Sequence, residues 1–127
     1  MTEKIKVFCT FRQVGFHNWP NAPEEHKYLA QLHRHEFHVR VEVEVVHADR
    51  AIEFIKLKQI AKTAFQQLGW QQQSLAGMIN FGSRSCEVLA KHLRLHLLDA
   101  YPLDDIPKIT AIEVSEDGEN GARVEFE

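Results

Sequence analysis

Three histidines carry the first chemical signal in this chain. His33 and His35 stand two residues apart, a spacing that puts both imidazoles on one side of a β-strand. They are in phase with Phe37, Val39, Val41, Val43 and Val45, so both point with the apolar face. A third imidazole precedes them. It is either His17, straight after the first strand-like run, or His26, deeper in the loop; spacing does not separate the two. Hydrogen-bonded core histidines are one explanation for such a pair. A same-face pair with a third imidazole nearby also matches the donor set of a zinc site that keeps its fourth position open. His38 has the opposite parity and should face away, while His47, His92 and His96 read as surface or helix-face residues.

Glu116 is the second anomaly. Its parity matches Thr110, Ile112 and Val114, and a carboxylate on an apolar face is costly unless paired. It is either a strand-end residue reaching solvent or an anchor for a ligand with N–H donors. A carboxylate accepts two parallel hydrogen bonds, which suits the amino-pyrimidinone edge of a pterin or guanine. Cys86 sits near a helix N-terminus, where the macrodipole favours a thiolate; the alternative is an inert packed thiol. Glu53, in Ile52-Glu53-Phe54 just before a helix, reads as a first-turn charge. Trp19 and Trp70 lie in loops, where they pack or wall a pocket.

The elements that must position these groups follow from periodicity. Residues 4–14 have strand composition, and a loop rich in Pro and Asn follows. From Phe37 to Val45 apolar and polar residues alternate, the pattern of a strand with one buried face. Apolar residues at 54, 57, 61, 64, 65 and 68 have helical spacing, and Gly69 is a natural stop. A polar, Gln-rich connection spans 70–82. A second helix is expected from Cys86 to Ala100, capped by Ser83 or Ser85, with Glu87 in its first turn and Tyr101-Pro102 beyond its end. The tail from Lys108 reads as a hairpin around Asp-Gly and Asn-Gly turn signals. The order is β-β-α-α-β-β: an α+β fold with a four-stranded antiparallel sheet and both helices on one face.

The chain of 127 residues, 44% hydrophobic and 26% charged, suits one domain over 1–127. A net charge of -3 with no basic block argues against nucleic acid as the main partner. The start, MTEKIKVFCT, lacks the apolar run of a signal peptide, and no stretch has the length of a membrane span, so no membrane is expected and the location is expected to be cytoplasmic. Two cysteines, Cys9 and Cys86, make no disulfide framework.

Five motifs in the same order resemble the 6-pyruvoyl-tetrahydropterin synthase family, which includes 6-carboxy-tetrahydropterin synthase of queuosine biosynthesis. The family's H-G-H appears as His33-Arg34-His35, and its loop histidine matches His17. Its D-F-x-x-L-K appears as Glu53-Phe54-Ile55-Lys56-Leu57-Lys58, and its P-T-S-E-x-L-A as Arg84-Ser85-Cys86-Glu87-Val88-Leu89-Ala90. Its pterin-anchoring glutamate falls on Glu116. The resemblance implies a T-fold whose subunits join their sheets into a barrel, as trimers or hexamers with the active site between subunits. It implies Zn2+ on His17, His33 and His35, and a 7,8-dihydroneopterin triphosphate or related pterin- or purine-like substrate held by Glu116, Ser85 and Phe54.

The departures concern catalysis. The family's catalytic cysteine should lie about four residues before the H-x-H, where this chain reads Tyr28-Leu29-Ala30-Gln31. Its catalytic Asp-His pair aligns with Gly69-Trp70. Cys86 and Glu53 are the candidates to replace the missing base. Three readings remain: a zinc-dependent lyase with non-standard catalytic residues, a non-catalytic metal-dependent pterin- or purine-binding homologue, or a structural domain whose histidines are packed.

Overall fold

The computed structural model describes residues 3–71, 78–100 and 108–127. The Gln-rich segment 72–77 and the Tyr101-Pro102 stop lie outside the described residues. Two long strands form the centre, β1 (Ile5–His17) and β2 (His33–Val45), paired antiparallel along their whole length with His17 opposite His33. His17 is thus the last residue of β1, one step short of the loop expected to hold it. The strand runs three residues past its apolar pattern because every residue from Ile5 to His17 finds a ladder partner on β2.

Helix α1 (Phe54–Gln66) follows, then short strands β3 (Trp70–Gln71) and β4 (Ile79–Asn80), helix α2 (Cys86–Ala100), and the hairpin β5 (Ile109–Glu116) and β6 (Asn120–Glu125). The four long strands are those expected. β3 and β4 extend the sheet at one side, giving the order β3-β4-β1-β2-β5-β6. Their polar composition hid them; backbone pairing with Gly15 and Phe16 defines β4.

One face of the sheet meets the helices. β2 buries Phe37, Val39, Val41 and Val43 there, and β1 contributes Cys9 and Phe11. α1 answers with Leu57, Ala61, Ala64 and Phe65, and α2 with Leu89, Ala90, Leu93 and Leu97. Period 2 on the strands and period 3.6 on the helices bring these residues into one apolar cluster. Gly15 has a steric task in it: a Cβ there would lie 2.6 Å from the Phe81 ring. Its bare backbone lets Phe81 pack beside the strand end that carries the histidines. Among the described residues, no helix is long and apolar enough to cross a membrane.

Candidate metal centre

The ends of three strands build the site. His17 closes β1, His33 opens β2, and His35 follows on the same face. The rings of His17 and His33 are 4.6 Å apart between centroids, those of His33 and His35 5.0 Å, and those of His17 and His35 5.4 Å. One ring nitrogen from each lies within 4.8 Å of the other two, a group that could hold a metal ion. His26 is not in this group; it belongs to a 3-10 turn over Glu24–Ala30.

Each ring has its Nδ1 against an acceptor. For His17 this is the Arg84 carbonyl at 3.0 Å, and for His33 the Gln31 carbonyl at 3.0 Å. For His35 it is the Asp117 carboxylate at 2.7 Å. A carbonyl or carboxylate can only accept, so Nδ1 carries the proton in all three rings. That leaves Nε2 as the nitrogen with a lone pair. The Arg84 carbonyl is held in place by its own side chain, which donates to Phe81 O at 3.0 Å and to Leu68 O.

Glu116 lies on the other side of the rings. Its Oε1 is 2.9 Å from His17 Nε2 and its Oε2 is 3.5 Å from His35 Nε2. His17 and His35 are therefore flanked by acceptors at both nitrogens, which would suit an imidazolium. Burial works the other way. It pushes the His17 pKa below its ordinary value, and His33 and His35 add to that push, against the Arg84 carbonyl and Glu116. Burial thus disfavours the second proton on His17 that the carboxylate of Glu116 would call for. A cation bound at the Nε2 atoms removes this conflict, because neutral imidazoles are metal ligands and a divalent ion balances Glu116 and Asp117. The donor set fits zinc.

A cavity of about 510 Å³ adjoins the cluster, within the range that accommodates small molecules. His17, His33 and Glu116 line it together with Trp19, Ser85 and Cys86. The Ser85 hydroxyl accepts from Val88 N at 3.2 Å, as a helix cap does. Cys86 is buried, and its thiol is pushed up to about 12 by that burial, with Glu116 and Glu87 adding to the effect. Desolvation thus outweighs the helix macrodipole that was expected to favour a thiolate.

Glu53 and Phe54 stand elsewhere. Glu53 caps α1, accepting from Ile55 N and Lys56 N at 2.9 Å each. The other end of α1 is tied to the sheet by the bond from Gln66 to Gln13 at 2.8 Å, beside Phe37. Thirteen helical residues span about 20 Å. Lys58, closer to the start of the helix, lies by Cys9 of β1, so Glu53 and Phe54 stand at the end of α1 away from the histidines. Phe54 is exposed.

Sequence reasoning missed Asp117 as part of this site. Its signal was present only as the Asp-Gly turn of the last hairpin, where Asp117 and Gly118 have φ of 57° and 72°. Asp117 Oδ1 also accepts from Glu36 N at 2.9 Å. That bond, then His35, holds its carboxyl below the usual carboxylate range.

No protein-family model matches the chain, and no curated protein matches it in sequence. Solved structures do match in shape. The 6-pyruvoyl tetrahydropterin synthase of Caenorhabditis elegans superposes with a TM-score of 0.67 at 9% identity, covering 98% of this chain and 97% of the other. An uncharacterized protein, WS1659 from Wolinella succinogenes, gives 0.70 at 15% identity over 99% and 100%. The 6-pyruvoyl tetrahydropterin synthase of Plasmodium vivax gives 0.62 at 13% over 97% and 98%. The chain therefore has the α+β T-fold of these proteins.

Proposed function

We propose that this chain is a zinc-dependent protein acting on a pterin or a related purine-derived ring, with 7,8-dihydroneopterin triphosphate as the first substrate to test. One observation carries the reading. Three buried or half-buried imidazoles each bring a ring nitrogen within 4.8 Å of the other two, beside a small-molecule-sized cavity that also holds a carboxylate. The shared fold with two 6-pyruvoyl tetrahydropterin synthases supports the choice of ring.

In this reading His17, His33 and His35 hold the metal. A bound zinc would polarise a hydroxyl or carbonyl oxygen of the ligand. Metal at the Nε2 atoms takes up the lone pairs that Glu116 now faces. Its carboxylate is then free to accept from ring N–H groups, as the family's anchoring glutamate does. Ser85 lines the same cavity. Glu53 and Phe54 reach a site of this kind only in a neighbouring copy, consistent with an active site between subunits. The sheet leaves open edges for such assembly: β6 ends it on one side, and beyond Gly15 no described strand pairs the outer edge of β1. A trimer or hexamer in the cytoplasm is the expected form.

The second reading, a binding protein without turnover, draws on the catalytic positions. No thiol stands at 28–31, and the Cys86 thiol, pushed up to about 12, stays protonated near neutrality and cannot serve as the base. Mass spectrometry of zinc-loaded protein incubated with 7,8-dihydroneopterin triphosphate separates the two. Loss of triphosphate or side-chain carbons establishes the enzyme. Retained, unchanged ligand establishes the binding protein. Tag-free protein that takes up no zinc removes both.

A further inference from the structure

We propose that Asp117 is a positioning residue for the metal site, orienting His35 from the turn between β5 and β6. This rests on the reading of His17, His33 and His35 as metal ligands. The three imidazoles are held in three places, but the holders differ in kind. Arg84 and Gln31 use main-chain carbonyls, which no substitution removes. Asp117 uses a charged side chain, at the shortest of the three distances, 2.7 Å.

The turn is built to aim that carboxylate. Asp117 and Gly118 both have positive φ as the central residues of the turn that Glu119 N closes on Glu116 O at 3.0 Å, within the three-residue loop between β5 and β6. Asp117 N donates to Glu36 O at 2.7 Å, and Glu36 N returns a bond to Asp117 Oδ1 at 2.9 Å. With its main chain and one oxygen tied to the residue next to His35, the other oxygen is directed at His35 Nδ1. A carboxylate on the far nitrogen fixes the tautomer, orients the ring and makes Nε2 a better donor, which strengthens metal binding. Asp117 touches neither the cavity ligand nor the metal position.

Asp117→Asn is the informative variant. Asparagine accepts positive φ as readily, so the turn persists. Its amide has one acceptor oxygen in place of two, so it cannot serve both Glu36 N and His35 Nδ1, and the charge is gone. Zinc affinity, measured by competition with a chromogenic chelator, is expected to fall on the order of 10- to 100-fold. Asp117→Gly, which favours the same backbone, should do the same. The metal-free melting temperature of Asp117→Asn should stay close to that of the wild type, while the rise on adding zinc shrinks. In a His35→Ala background Asp117→Asn should change zinc affinity no further. Wild-type zinc affinity in Asp117→Asn overturns the proposal and leaves the metal site standing. A loss that persists undiminished without His35, or that tracks metal-free stability, also overturns it. Wild-type protein that binds no zinc overturns it together with the reading it rests on.

Discussion

Two carboxylate clusters lie along strands β2 and β5, one buried at Glu42 and one half-buried at Glu116 with exposed Asp117 beside it, and their partners differ in kind. On the sheet face away from the helices, Glu42 is buried among cations and a hydroxyl. Thr110 donates to it at 2.9 Å, and Arg123, Lys6 and Arg40 approach within 3.4, 3.5 and 3.8 Å. Burial alone would raise its pKa, but the bonds from Thr110 and Arg123 outweigh that and hold the carboxyl below its ordinary range. At the histidine end Glu116 faces His17, whose pKa burial lowers, and Asp117 faces His35. The first cluster contains its own counter-charge and is complete. In the second, among the described residues, Glu116 and Asp117 pair with histidines and with no Lys or Arg. A polar group inside a fold is a stability feature when its partners come from the chain, and a binding feature when they do not.

The strongest way to break this contrast is at the ligands. His33→Ala and His35→Ala should each lower zinc affinity by more than about 100-fold, beyond the cost of losing a supporting residue. Plasma emission spectroscopy after tag-free purification reads it, and stoichiometric zinc in either variant would reduce the contrast to packing. Glu42→Ala should do the reverse. It is expected to cost about 2 kcal/mol of stability, less than for a wholly buried pair because the cations reach solvent. Zinc content should be untouched. A urea midpoint equal to that of the wild type would mean the Glu42 network is idle.

Acid titration sharpens the same distinction. The folded pKa of Glu42 is depressed, so the stability it adds is complete above the unfolded value of about 4.3 and is lost as pH falls through the folded one. The stability gap between wild type and Glu42→Gln should therefore be constant near neutrality and close below about pH 4. A gap that closes between pH 6 and 7 in urea titrations would assign it to histidines instead. The smallest effect is expected at Cys86. With the thiol pushed up to about 12 and buried, iodoacetamide should modify it far more slowly in native than in unfolded protein. Cys86→Ala should change stability by about 1 kcal/mol and leave zinc uptake alone. Rapid native alkylation, followed by mass spectrometry, would restore Cys86 as a nucleophile.

Much of the architecture was legible because its cause is local. Alternation at Phe37–Val45 and helical spacing at 54–68 are consequences of strand and helix geometry; α1 ends two residues before its expected stop, and β2 begins four residues before the alternating run, at His33. The same-face pair His33 and His35 was readable for the same reason. Spacing did not choose between His17 and His26; the family motif pointed to His17, and its place depends on how far β1 follows β2, which strand pairing sets. Glu42 was misread as a wet position. Its burial comes from Thr110, left over at a bulge opposite Glu42 and Val43, and no pattern in β2 announces a bulge in β5.

The order of elements, the apolar faces and two of the three clustered histidines came from residue type and spacing, since periods of 2 and 3.6 are properties of a short stretch of backbone. The rest waited on contacts between distant segments. Arg84 O meets His17 across 67 residues, and Asp117 meets His35 across 82. Such pairs decide which imidazole nitrogen is free, whether a thiol ionises and which carboxylate pairs with a histidine. They arise from the closing of the sheet and the packing of α2 on it, and a linear pattern holds no record of either.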